Sequence, residues 1–453
     1  MQPRIRIKHT MEKLASHSGL ILIGELMNSM QLKTRLDNLN NVYCDNPKFP
    51  HSDVLFSMIG LLSIGKPDFD AIEIFRSKQD FFTKALKISG CPSSPTIRQR
   101  IDLIGHAADD IIKEESALLI RSKAPSVSAI ETSAGKFVPL DIDVSPFDNS
   151  KTKKEGVSRT YKGYDGYAPI FAYLGVEGYL TNLELREGSQ HCQKNTPQFI
   201  TKTLGYVRQI TDQPILMRMD SGNDSQDNFP DVNREGVQFI IKRNLRKESR
   251  QSWAVLAKKA VEKRFQNMEN SVWIGKTDIG INGQQLPYPV TFKVTERHTK
   301  KGQKLMFPEI EVDTYWCSLA ELDANEVISL YHDHGTSEQF HSEIKSDMDL
   351  ERLPSGNFSS NSLILHLGML TYNMMRIIGQ ISLEESVRLQ LPGSRGKKVK
   401  RRRIRTVMQD LMYMAGRLIY SGRMCFISFG QLNPFAELWE CILRRLRGSP
   451  LMA

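Results

Sequence analysis

Three carboxylates in three different settings hold the chemistry this sequence offers: Asp143 in the run VPLDIDVS, Asp220 closing PILMRMD, and Glu338 inside a polar helical stretch. Charged groups within or at the ends of apolar strands are costly unless they are paired or bind metal. Together the three read as a divalent-metal site for phosphodiester chemistry. Mg2+ takes hard oxygen ligands, usually one or two carboxylates plus substrate phosphate, so three acids suffice. Two metals roughly 3.5–4 Å apart activate a water or 3′-hydroxyl and stabilise the leaving oxygen of an in-line displacement.

The elements that must position these acids follow from pattern. Residues 138–144 alternate as a strand, and a period of two points Asp141 and Asp143 to the same face. Two further strand-like runs, 168–174 and 179–185, are punctuated by Gly175 and Gly178, and a helix-like stretch covers 196–211. A fourth strand, 214–219, delivers Asp220 at its C-terminal end, where Ser221, Gly222 and Asn223 turn the chain. This order predicts an α/β fold with a mixed sheet and acids on its first and fourth strands. The third acid lies in YHDHGTSEQFHSEIKSDMD. There Gly335 interrupts a helix arriving from Asn325, and Thr336 with Gln339 makes a capping box that restarts it. Glu338, His341 and Lys345 then fall at spacings of three and four and share a face.

Between the second and third acids, the strand-like segments 237–241, 272–276, 288–294 and 309–316 predict a β-rich insertion over about 225–322. Trp273 and Trp316 within it are candidates for stacking on a base, against the commoner fate of a strand Trp in a core. Lys242, Arg243 and Arg246 are placed to line the same path. His332, His334 and His341 lack the H-E-x-x-H spacing of a helical zinc pair and have no Cys nearby, which leaves His334 and His341 facing phosphate.

The spacing Tyr331, two residues, His334, three residues, Glu338, six residues, Lys345 resembles the Y-R-E-K signature of DDE transposases of bacterial insertion sequences, with His in place of Arg. Asp143-Val144-Ser145 resembles the D-x-S of that family's first acid block, and MRMDSG its D-S-G second block. GLILIGELMNSMQL and SSPTIRQRI are similar to its N-terminal helical region, and KVKRRRIRTV to its basic C-terminal end. The resemblance implies an RNase H-like catalytic core that binds two Mg2+ or Mn2+ ions. It also implies nicking of double-stranded DNA at terminal inverted repeats and joining of the freed 3′-hydroxyl to a target, by a homodimer on paired ends. On that basis Asp143 bridges the metals, Asp220 and Glu338 each complete one shell, and Tyr331 and Lys345 contact phosphates near the scissile bond. Arg holds phosphate at any pH, whereas His334 does so only when protonated. Strand geometry alone leaves Asp141 in competition with Asp143; the D-x-S match selects Asp143.

Charge points to a polyanion. The formal net charge is +10, and from Arg388 to the C-terminus fourteen Lys or Arg stand against three acids. The run RGKKVKRRRIR, with Lys400, Arg401, Arg402 and Arg403 at its centre, suits sequence-independent phosphate binding and leads into a predicted helix over 406–420. In the N-terminal region, Ser94 is the expected N-cap with Pro95 at the first helical position. Arg98, Gln99 and Arg100 then stand near a helix N-terminus, where a helix-turn-helix would read base edges.

At 453 residues the chain has room for several domains. A helical DNA-binding region over 1–130, a catalytic core over 131–385 and a basic helical tail over 386–453 are expected, with the linker PSVSAIETSAGKFVP at the first boundary. Six scattered cysteines form no C-x-x-C pair, and no run is apolar and long enough for a signal peptide or membrane span, which fits the cytoplasm and nucleoid of a bacterium. Two other readings use the same residues: a metal-dependent nuclease on the same fold, and a non-catalytic DNA-binding protein derived from a transposase.

Overall fold

The computed structural model describes residues 7, 11–39, 42, 47–267, 269–300, 303–391, 399–422 and 424–448. The chain forms two compact units, Ser116–Lys345 and Met1–Glu115 with Ser346–Ala453.

The first unit is built on one large mixed sheet. Its strands are β1 (Gly135–Val144), β2 (Ile170–Leu174), β3 (Tyr179–Glu184), β4 (Ile215–Met219), β5 (Gln238–Arg243), β6 (Val261–Gln266), β7 (Asn270–Ile279), β8 (Gln285–Lys300) and β9 (Gln303–Cys317). They lie in the order β6-β7-β8-β9-β5-β4-β1-β2-β3, with the short strand Ile130–Thr132 also paired to β1. β1, β4 and β5 are parallel neighbours, and every other adjacent pair is antiparallel. The β2 and β4 side chains are buried throughout, as apolar strands covered on both faces should be. Helix α1 (Thr196–Ile210) connects β3 to β4 and buries Phe199, Ile200, Leu204, Val207 and Ile210 at helical spacing. The four strands expected before Asp220, the helix between them and the β-rich insertion are thus all present.

After β9 the chain enters α2 (Ala324–His332), a short 3-10 segment Asp333–Thr336, and α3 (Ser337–Ser342). The expected capping box is absent: Thr336 has helical backbone angles and no capping hydrogen bond from its side chain. Gly335 tightens the helix into a 3-10 turn instead of breaking it, so Thr336 never adopts the extended conformation a cap requires.

The second unit is mainly helical. Its helix α4 (Phe358–Arg388) is buried around nearly its whole circumference, and Leu20–Asn28, His51–Leu62 and Ser94–Ile104 pack on it or beside it. Among the described residues no helix is long and apolar enough to cross a membrane. The predicted helix over 406–420 stops early. Ile404–Val407 and the π-turn Met408–Met412 give way to β10 (Gly416–Ser421), which pairs with β11 (Met424–Phe429) and with Leu14–Ala15. The β-branched and aromatic residues of Leu418-Ile419-Tyr420 and Cys425-Phe426-Ile427 favour strands, and Gly422, at φ +57°, stands in the turn. Helix α5 (Ala436–Arg447) closes the chain.

Candidate active site

Asp143 and Asp220 stand at the same level. Ile142 of β1 and Met219 of β4 are partners across the parallel ladder, so the residues that follow them stand side by side, Asp143 still paired to β2. Asp220 caps the 3-10 turn Ser221–Asn223: its Oδ1 accepts from the Gly222 amide at 2.8 Å and from Asn223 Nδ2 at 3.4 Å. None of the hydrogen bonds described falls on its Oδ2. Burial, and then the charge of Asp143, push the Asp220 carboxyl above its ordinary range. Burial and a neighbouring like charge both disfavour the ionised form.

Asp143 is held the other way. Burial raises it, but the hydrogen bond and charge of His341, the charge of His334 and the Val144 amide together outweigh burial and hold the carboxyl below its ordinary range. His341 Nε2 lies 3.1 Å from Asp143 Oδ2, and the Val144 amide donates to Oδ1 at 2.8 Å. The Tyr173 hydroxyl is 3.2 Å from His341 Nδ1, and Phe171 packs against the same imidazole. Tyr173 and Phe171 are the β2 partners of Asp141 and Asp143, so the sheet register carries this cage to the acid.

Asp141 is a different object from Asp143. It is 3% exposed, and Arg218 grips it with Nε at 2.7 Å and Nη2 at 2.8 Å. His334 Nδ1 adds a third contact at 2.9 Å, and Arg218 Nη1 donates to the Leu330 carbonyl at 2.8 Å. Both Asp141 oxygens are therefore occupied, which removes it from competition for metal. The same network corrects the expectation for His334, which is buried in an ion-paired lock between strands and helix and does not face a phosphate. His341 is likewise buried against Asp143.

The remaining residues of the Y-R-E-K spacing are distributed as follows. Lys345 Nζ donates to the Pro146 carbonyl at 2.6 Å and lies over the Phe147 ring, on the loop just past Asp143. The Tyr331 ring packs on Tyr315 and His334, and burial with the charges of Asp220 and Asp143 pushes its phenol up. Glu338 is exposed on α3, one turn before His341, and no described bond joins it to Asp143 or Asp220. Among the described residues no three His, Cys, Asp or Glu side chains close into a metal cage. The donor chemistry fits hard divalent cations all the same: two adjacent carboxylates whose mutual repulsion is unrelieved, one with an oxygen to spare, and a third acid on the neighbouring helix. A cleft of about 570 Å³ opens beside Asp220, lined among others by Val144, Tyr161, His191 and Cys192.

Trp316 and Trp273, offered as base-stacking residues, are 4% and 5% exposed. Trp316 Nε1 donates to Asp224 at 2.9 Å, and Arg243 covers the ring, so it serves the core. Arg100 is also withdrawn from any DNA path: it is buried and donates to the Phe49 carbonyl at 3.2 Å. The N-cap of its helix is Ser93, not Ser94, whose hydroxyl turns to Asp70. Arg98 remains exposed, over the Phe69 ring. In the basic run, 395–398 lie outside the described residues. Lys400 is exposed, and Arg401 is half-buried. Arg402 pairs with Asp410 at 3.3 Å, and Arg403 grips the fully buried carboxylate of Asp347 at 2.7 and 2.9 Å. Part of the run therefore holds its own unit together. The Tyr173–His341 pair and the Asp141–Arg218–His334 lock carried no signal in residue spacing; only the strand register brings them together.

Comparison with known proteins adds the family. Comparison with curated protein sequences gives no match. A solved structure of the piggyBac transposase synaptic complex with hairpin DNA is similar at a TM-score of 0.43 and 11% identity, over 96% of this chain and 82% of that one. The family model for Transposase DDE domain group 1 matches residues 1–451, and the chain belongs to that family.

Proposed function

We propose that the protein is the DNA transposase of a bacterial insertion sequence, which binds terminal inverted repeats and carries out metal-dependent strand cleavage and strand transfer. The observation that carries this reading is the pair Asp143 and Asp220, level at the ends of adjacent parallel strands and close enough for the charge of Asp143 to raise the Asp220 carboxyl. The order β3-β2-β1-β4-β5, antiparallel and then parallel, is that of an RNase H-like core and supports it.

Asp143, Asp220 and Glu338 would hold the divalent ions, Mg2+ or Mn2+, which supply Lewis-acid activation of a water or 3′-hydroxyl. His341 fixes the Asp143 carboxylate and keeps it ionised. Tyr331, whose phenol is held protonated, donates to a phosphate oxygen. Lys345, at the loop after Asp143, supplies a positive charge beside the scissile phosphate, and Lys400 and Arg401 add sequence-independent backbone contacts. A homodimer pairing two ends, working in the bacterial cytoplasm at the nucleoid, completes the reading.

The test is cleavage of a labelled duplex carrying the inverted repeat that flanks the gene, with Mg2+ or EDTA, for wild type and for Asp143→Ala, Asp220→Ala and Glu338→Ala. Cutting at the repeat boundary that needs metal and all three acids, followed by joining to an added plasmid, is the expected result. Cutting without joining would make the protein a nuclease. Binding without cutting under any metal would make it a DNA-binding protein. An alanine variant that cuts at the wild-type rate removes that residue from the site.

A further inference from the structure

The β8–β9 hairpin overhangs the edge of the sheet that bears the acids. Met219 pairs with Ile241 on β5, and Ile241 with Trp316 on β9, so Tyr315 and Thr314 are level with or just beyond Asp220. From there β9 runs backward, away from the sheet, and β8 stays paired with it as far as Lys300 and Gln303. At about 3.4 Å per residue, the seven positions from Thr314 to Phe307 carry the chain about 24 Å past the carboxylates. That is the length of roughly seven base steps of duplex DNA.

The overhang bears the wrong residues for a free loop. Met306 is 92% exposed and Phe307 is 78% exposed, beside Pro308. Adjacent strand residues point to opposite faces, so neither face is packed here. Between Glu296 and Glu309 the sequence contains Arg297, Lys300, Lys301 and Lys304 and no acid. Lys304 is exposed, and Arg297 is paired with Glu311 at 2.7 Å on the solvent side. An apolar wedge at the cationic tip of a two-stranded ribbon matches the chemistry of proteins that push Met, Phe or Pro between base steps while cations meet the phosphates. The cations cluster at this tip, whereas Glu309, Glu311 and Asp313 lie nearer the sheet, which favours a polyanion over a protein surface at the tip.

We infer that Met306 and Phe307 form a wedge that enters duplex DNA about seven base pairs from the scissile phosphate, with Lys304 on the adjoining backbone. This rests on the DNA-end reading above and gives the exposed aromatic contact that buried Trp316 does not.

The experiment uses the full chain and a fluorescein-labelled mixed-sequence duplex of about 40 base pairs, long enough to span wedge and acids together. With p-benzoylphenylalanine in place of Phe307, irradiation should cross-link protein to DNA. Met306→Ser with Phe307→Ser should weaken binding roughly tenfold, the scale of one lost stacking contact, without changing its salt dependence. Lys304→Ser should instead lower the salt slope by about 1. All three side chains are exposed, and circular dichroism confirms folding. If wild type binds the duplex but position 307 cross-links only to protein or to nothing, or the double variant binds as tightly as wild type, the wedge is wrong while the DNA reading stands. If wild type binds no duplex even at low salt, both fall.

Discussion

The imidazole of His341 connects two rings of the β2 strand to the first acid: its Nε2 is 3.1 Å from Asp143 Oδ2, and its Nδ1 is 3.2 Å from the Tyr173 hydroxyl. Such outer contacts fix the orientation and basicity of a ligand, and losing one typically costs ten- to a hundredfold in metal affinity. His341→Ala is therefore expected to weaken Mn2+ binding by about that factor, read from the free Mn2+ signal in electron paramagnetic resonance. His341→Asn should recover part of the loss. Equal affinity in all three proteins would reduce His341 to a packing residue.

Gly178 makes a second handle on the same helix. It has φ +73°, and a Cβ there would fall 2.1 Å from the Phe340 ring. Gly178→Ala must strain the β2–β3 turn and push Phe340, and α3 with it, away from β2. We expect a lower melting temperature and a loss of cleavage larger than the loss of DNA binding. Wild-type cleavage at full stability would mean that α3 adjusts without moving Glu338 or His341.

Arg218→Met leaves Asp141 buried with only His334 to meet its charge. Breaking a buried pair from one side costs about 3–5 kcal/mol, so the denaturant midpoint should fall accordingly. Asp143→Asn, at a half-open position, should cost far less stability while abolishing cutting. The reverse pattern would exchange the roles of the two aspartates.

The same lock makes stability depend on pH. Burial lowers the His334 pKa, but Asp141 outweighs it and holds the group above its usual 6.5. A raised value gives stability that is fully present below 6.5 and is lost as pH climbs through the folded-state pKa. Asp141, held low against burial by Arg218 and His334, gives stability that is present above 3.8 and lost as pH falls. Between about pH 6 and about pH 9, wild type should lose more melting temperature than His334→Gln does. Parallel curves would place His334 neutral in the folded protein.

Thiol chemistry offers a check that is independent of DNA. Burial pushes Cys91 and Cys317 up to about 11, whereas Cys425 is exposed on β11. Iodoacetamide near neutral pH should label Cys425 first and leave Cys91 and Cys317 unmodified until the protein unfolds. Early labelling of Cys317, which lies at the base of the β8–β9 hairpin, would mean that the hairpin opens.

Much of the catalytic frame was legible because it is local. Alternation marked β1, the apolar run before Asp220 marked β4, and helix-like patterning over 196–211 marked α1. What stayed hidden depends on pairing between distant segments. Asp141 and Asp143 share a face by period, and only Arg218 and His334, arriving from distant segments, separate the acid they lock from the one left beside Asp220. Trp316 has the composition of a DNA contact, but the fold turns it onto Phe229 and Arg243. Arg403 reads as a free cation in its run, yet Asp347, far upstream, takes it up.

The lock around Asp141 is drawn from three places on the ribosome's output: Arg218 follows 77 positions later and His334 follows 193 later. At about 5–20 residues per second, the interval between the first and last of these is on the order of ten to forty seconds of translation. For the later part of that time, once Asp220 has been made, a nascent chain has its first two acids but neither the complete lock nor α3. On the proposed function, a polypeptide cut short by a premature stop before residue 334 would carry Asp143 and Asp220 without Glu338 or the His334 contact, and no cutting is expected of it.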